Sequence, residues 1–91
     1  MSGKKTILMK SEEKRSLADL AGFLRELADK IEHNQLTMKQ GGESYNLTLP
    51  DPVTLELELE DKDKKGCTKR QLEIEIEWYQ GGSKHQEISL G

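Results

Sequence analysis

Val53-Thr-Leu-Glu-Leu-Glu-Leu-Glu60 and Leu72-Glu-Ile-Glu-Ile-Glu-Trp78 are the two stretches whose reading decides the fold. Each alternates apolar and polar residues without a break, the period-two pattern of a strand with one buried face. They predict neighbouring antiparallel strands that share a buried face of Val53, Leu55, Leu57, Leu59, Leu72, Ile74, Ile76 and Trp78. The opposite face carries Glu56, Glu58, Glu60, Glu73, Glu75 and Glu77. Whether Leu59 pairs with Leu72 or with Ile74, glutamates meet glutamates on that side.

Between the two runs lies Asp61-Lys-Asp-Lys-Lys-Gly-Cys-Thr-Lys-Arg70, nearly all charge. It is longer than an ordinary hairpin loop and reads as a mobile one. Upstream, Pro50-Asp51-Pro52 stops any strand, because proline cannot donate to a ladder. Before it, Leu36–Gln40 and Glu43–Leu49 flank Gly41-Gly42, a two-residue hairpin signal. If Gln40 faces Glu43, then Met38 faces Tyr45 and Leu36 faces Leu47, so that apolar meets apolar.

From Ser11 to His33 the period becomes helical. Leu17, Leu20, Ala21, Leu24, Leu27, Ala28 and Ile31 form one stripe bordered by Phe23, the spacing of an amphipathic helix. Ser11 is the expected N-cap, with Glu12 and Glu13 at the positive end of the dipole. Asn34 can take the left-handed conformation that ends a helix. Gly22 inside it either permits a close approach to the sheet or is merely tolerated, the commoner case. Thr6–Lys10 reads as a short edge strand. Residues 1–5 form a loose start, 6–80 a single domain, and 81–91, opening on Gly81-Gly82-Ser83, a flexible tail.

The expected fold is α+β in two layers. One amphipathic helix lies across the apolar face of a four- to five-stranded, mainly antiparallel sheet, in the order β-α-β-β-β-β. A chain of 91 residues, a third apolar and a third charged, fits one small domain. Ile7-Leu8-Met9 is too short an apolar run for a signal-peptide core or a membrane span. The lone Cys67 suits a reducing compartment and forms neither an internal disulfide nor a cysteine-based zinc cluster. A cytoplasmic protein without membrane attachment is therefore expected.

At this point the residues resemble the amphi-Trp domain family. The resemblance rests on a short strand, a helix running through Leu27-Ala28-Asp29-Lys30-Ile31, a glycine-turn hairpin, and the strand Leu72–Trp78 that closes on tryptophan. It covers roughly residues 6 to 78 and leaves out the charged loop and the tail. It supports the fold and carries over no activity, catalytic residue or ligand.

The chemistry-bearing residues are sparse. Cys67 sits among cations that favour a thiolate, but His33, at a helix end, and His85, in the tail, have no sequence context that brings a base to it. A thiol-dependent enzyme or redox protein is the least favoured reading, and no catalytic residue is expected. No phosphate-binding glycine motif occurs, and no cofactor is expected. Four aromatic residues and a net charge of −3 disfavour nucleic acid, although the Lys62–Arg70 loop offers an accessory-protein alternative. Carboxylates spaced about 6–7 Å apart along one strand are too sparse for a calcium cage, so no metal is expected.

The glutamate face remains. Directly opposed like charges destabilise an antiparallel pair. The bland reading is a solvated face that discourages edge-to-edge aggregation and is partly neutralised by Lys39 on a neighbouring strand. The sharper reading, and the expected function, is a small non-enzymatic interaction module. Its acidic sheet face, Glu56, Glu58, Glu60, Glu73, Glu75 and Glu77, would bind an unidentified protein partner, preferably a basic one. Sheet edges and faces also offer routes to self-association.

Overall fold

The computed structural model of the protein describes residues 3–80 and 90. Its elements run α1 (Leu17–Glu32), β1 (Leu36–Gln40), β2 (Glu43–Leu47), β3 (Thr54–Lys64) and β4 (Cys67–Glu77). One helix and four antiparallel strands make the class α+β, as expected. The strands pair in two ladders, β1–β2 and β3–β4. Each ladder closes on its own tight turn, so every strand finds its partner in adjacent sequence. The chain divides into two units, Met1–Thr48 and Leu49–Gly91. The edge strand expected at Thr6–Lys10 does not form; that segment is neither helix nor strand. The tail expected at 81–91 lies, apart from Leu90, outside the described residues.

In the first unit the helix begins later than expected. Ser16, not Ser11, is the N-cap, its Oγ accepting a hydrogen bond from the Asp19 N–H at 3.0 Å. Ser16 stands three residues before an acidic residue in the first turn, where both a side-chain cap and a negative charge are favoured. Ahead of it, Arg15 pairs with Glu13 at 2.6 Å and lies 5.4 Å from the centre of the Phe23 ring. The helix ends as its sequence indicates. Asn34 has φ 50, and the N–H groups of Asn34 and Gln35 donate to Ile31 O and Lys30 O, which satisfies the carbonyls a helix end would leave unpaired. Gly22 is tolerated rather than required, since a Cβ there would meet nothing within 4 Å. The helix touches β1, and Ala21, Leu27, Ile31, Leu36, Tyr45 and Leu47 are half-buried. The β1–β2 register pairs Gln40 with Glu43, Met38 with Tyr45 and Leu36 with Leu47, as read from the glycine turn.

The second unit departs further from expectation. The segment expected to be a mobile loop is strand almost to its tip. β3 and β4 are each eleven residues long and join through Lys65-Gly66, with Gly66 at φ 76. Polar residues on both faces of 61–64 and 67–70 hide the alternation that marks a strand. The pairs Asp61↔Arg70, Lys62↔Lys69, Asp63↔Thr68 and Lys64↔Cys67 nevertheless continue the ladder. Cys67 is accordingly an exposed strand residue.

The apolar residues of this hairpin align as the alternation demands: Leu55↔Ile76, Leu57↔Ile74 and Leu59↔Leu72. They are not buried, however. Leu55, Leu57, Leu59, Leu72 and Ile74 are between 53 % and 67 % exposed, and Leu49 is the one buried apolar residue among the described residues. The expected apolar face is thus present in register. Alternation determines which side chains share a face, whereas covering that face needs a second layer. Among the described residues, no helix is long and apolar enough to cross a membrane.

Candidate functional site: the two faces of the long hairpin

The β3–β4 ladder sorts its side chains with period two. One face carries the apolar pairs. The other carries Glu56 opposite Glu75, Glu58 opposite Glu73, and Glu60 opposite Gln71, with Glu77 opposite Thr54. Two of the expected like-charge oppositions therefore form directly. Cross-strand neighbours lie closer than residues two apart on one strand, and this gathers carboxylates that the spacing along a single strand would keep apart. Glu56, Glu75 and Glu77 bring one carboxylate oxygen each within 4.8 Å of one another, and so do Glu58, Glu60 and Glu73. All these groups are exposed or half-buried. Three such oxygens offer weak contact to a hard cation rather than the six to eight ligands of a calcium cage.

The electrostatic consequence falls on Glu56. The charge of Glu75 opposite it, a hydrogen bond shared with that carboxyl, and the charge of Glu77 hold its pKa above the ordinary 4.5. Relief is limited on this face. Lys62 approaches Glu60 at 3.7 Å, and Gln71 Nε2 donates to Glu73 Oε1 at 2.7 Å. Lys39, expected to neutralise the glutamates, belongs to the other ladder, opposite Ser44.

Toward the turn the same face changes sign. Lys62 lies opposite Lys69, and Lys64 opposite Cys67. The face is therefore acidic at its open end and basic at its turn end, a segregation hidden in the sequence because that stretch reads as loop. On the apolar face the turn end is closed by Asp61 and Arg70. Arg70 Nε and Nη2 donate to the two carboxylate oxygens at 2.8 and 3.1 Å. The guanidinium lowers the Asp61 pKa, and Asp61 in turn raises that of Arg70. At the open end, a groove of about 450 Å³ is lined by Pro50, Pro52, Val53, Thr54, Glu77, Trp78 and Tyr79.

The remaining candidates gather no such constellation. His33 Nδ1 lies 2.9 Å from Asp29 O and 3.5 Å from the Asp29 carboxylate, the position of a helix-end histidine. Cys67 has Lys64 across the ladder, and neither strand of its hairpin carries a histidine. His85 lies outside the described residues.

No curated protein and no solved structure matches the chain significantly. The model of the Amphi-Trp domain family matches residues 1–91, extending the likeness seen in the closing strand over the charged turn and the tail. The chain belongs to the Amphi-Trp domain family.

Proposed function

We propose that the protein is a small non-enzymatic binding module whose glutamate face engages a basic segment of a partner protein. The observation that carries this reading is the direct opposition of Glu56 to Glu75 and of Glu58 to Glu73. It holds the Glu56 pKa above its ordinary value and leaves the face short of positive charge. A cation placed over these rows removes the repulsion and adds attraction, so binding energy is available at the cluster before any contact of shape. The acidic rows extend from Thr54↔Glu77 to Glu60↔Gln71, about 20 Å at the rise of a strand. An extended segment with lysine or arginine at alternate positions repeats at the same interval.

Nucleic acid is the weaker reading. Of the cations in the 62–70 stretch, Arg70 is committed to Asp61 and Lys62 approaches Glu60.

The test is affinity capture from native lysate at moderate salt, comparing wild type with Glu56→Lys/Glu58→Lys/Glu75→Lys. All three positions are exposed, and circular dichroism checks that the fold survives. A basic protein retained by wild type and lost by the variant supports the proposal. Identical captures from the two, or none from either, would reduce the glutamates to a solubility device.

A further inference from the structure

The polar face of the β3–β4 hairpin is sorted by sign along its length. From the open end to the turn its rows run Thr54↔Glu77, Glu56↔Glu75, Glu58↔Glu73, Glu60↔Gln71, Lys62↔Lys69 and Lys64↔Cys67. Glutamates occupy the rows toward the open end and lysines those toward the turn. At the boundary the charges are met within the chain, since Lys62 approaches Glu60 at 3.7 Å and Gln71 Nε2 donates to Glu73 at 2.7 Å. The unmatched charges therefore lie at the two ends. Glu56, Glu75 and Glu77 crowd together at the open end. At the turn end Lys64 and Lys69 make no ion pair among the described residues.

Both ends also set like against like, Glu56 opposite Glu75 and Lys62 opposite Lys69. Such pairs destabilise a ladder, and the chain avoids the cost on its other face, where Arg70 grips Asp61 at 2.8 and 3.1 Å. A face that served only to keep the protein in solution would do so with its signs interspersed. Segregated signs give a potential that reverses along the strands. Such a potential fixes the register and direction of a ligand, and rejects one of uniform charge.

We infer that the partner segment carries two blocks of opposite charge, with its acidic end at the hairpin turn. This rests on the glutamate face being a binding surface, as proposed above. Lysine or arginine at alternate positions seats on the glutamate rows. A neighbouring run of aspartate or glutamate reaches Lys62, Lys64 and Lys69.

The spacing suits this occupant. Side chains on one face of an extended chain recur every two residues, about 6.6–6.8 Å, so an extended segment keeps step with all the rows. From the Thr54 row to the Lys64 row is about 33 Å at the rise of a strand, a segment of about twelve residues. About eight of these lie over the glutamate rows and four over the lysine rows. A segment basic throughout would place its far end against the lysines. A nucleic acid, anionic throughout, would meet the lysine rows and be repelled by the longer glutamate stretch.

The experiment measures binding of synthetic peptides to the full chain by titration calorimetry at moderate salt. One peptide has four lysine-serine repeats followed by two glutamate-serine repeats. A second has the same composition with the signs interleaved, and a third has the lysine-serine repeats alone. Wild type is compared with Lys64→Glu/Lys69→Glu, whose positions are both exposed and whose Lys69 change turns a like-charge opposition into an attractive one. Direction is read with a fluorophore on Cys67, the only cysteine and a residue of the last row, and a quencher on either end of the two-block peptide.

The two-block peptide should bind wild type about fivefold more tightly than the interleaved one, as two or three exposed ion pairs allow. That preference should vanish in Lys64→Glu/Lys69→Glu, and the quencher should act from the acidic end, the basic end lying about 30 Å away. Equal binding of the two-block and interleaved peptides overturns the inference, as does a preference that survives the double substitution or quenching from the basic end. If in those cases the lysine-serine peptide still binds and loses affinity in Glu56→Lys/Glu58→Lys/Glu75→Lys, the glutamate face remains a binding surface and only the two-block partner fails. Binding of none of the three peptides overturns both. Tighter binding of a single-stranded DNA oligomer than of the two-block peptide overturns the inference in favour of nucleic acid.

Discussion

Alanine at Gly66 is expected to weaken the hairpin that carries both faces, while the same substitution at Gly22 strengthens the helix. Gly66 has φ 76, and a Cβ built there would meet nothing within 4 Å. The penalty is therefore purely one of backbone conformation, about 1–2 kcal/mol for an L-residue in the left-handed region. Alanine also restricts the unfolded chain, which returns about 0.4–1 kcal/mol. The net loss is about 0–1.6 kcal/mol. Gly22 lies inside α1, and its added Cβ is equally unobstructed, so alanine gains about 0.8–1 kcal/mol from helix propensity. For a domain of this size each kcal/mol moves the melting temperature by about 4–8 °C. Trp78, the only tryptophan, reports the hairpin by fluorescence, and far-ultraviolet circular dichroism reports the helix. Gly66→Asn should recover part of the loss, because asparagine tolerates the left-handed region. A Gly66→Ala protein whose tryptophan transition is raised would refute the two-residue turn and restore the long mobile loop.

The remaining predictions concern titration, capping and the thiol. Glu56 has a folded pKa raised above 4.5 by Glu75 and Glu77, so stability should rise as pH falls from neutral through that raised value and level off below the unfolded value. Asp61, lowered from 3.8 by Arg70, contributes stability present above 3.8 and lost as pH falls through its lowered value. Melting temperatures should therefore climb from pH 7 toward mildly acid conditions and fall at lower pH. Glu56→Gln should flatten the climb, and a wild-type melt that worsens across the first interval would contradict a repelling face. Ser16→Ala should cost about 1 kcal/mol through loss of the helix cap while Ser11→Ala is silent, measured by thermal melts of the two variants; the reverse order would move the helix start back to Ser11. Cys67 should react completely with a thiol reagent without denaturant, because it is exposed. Incomplete labelling would mean that something covers the polar face at the turn.

The first hairpin was fully legible in the sequence, since Gly41-Gly42 and the apolar matching of Leu36 with Leu47 and Met38 with Tyr45 admit one register. The long hairpin was half legible. Its apolar and glutamate faces follow from alternation, but Asp61–Arg70 alternates nothing and reads as loop. There the strand is held by cross-strand pairing and by one charge pair nine residues apart, Arg70 on Asp61. The same blind spot concealed the change from glutamate to lysine along the polar face. It also made the carboxylates look too sparse, because the sequence shows the spacing along one strand and the ladder supplies the second.

The sequence by itself determined the body of the helix, the first hairpin and the alternating parts of the long one, which side chains share a face there, and where Gly41-Gly42 and Asn34 turn the chain. These are local matters, settled by side-chain period and by the φ a residue tolerates. Only the tertiary structure decided that the four strands pair as two ladders, that β3 and β4 run on through 61–64 and 67–70 to a turn at Lys65-Gly66, and that Ser16 rather than Ser11 caps the helix. Alternation makes a face apolar. What covers it depends on surfaces distant in the sequence or on another chain, and no local pattern contains that information.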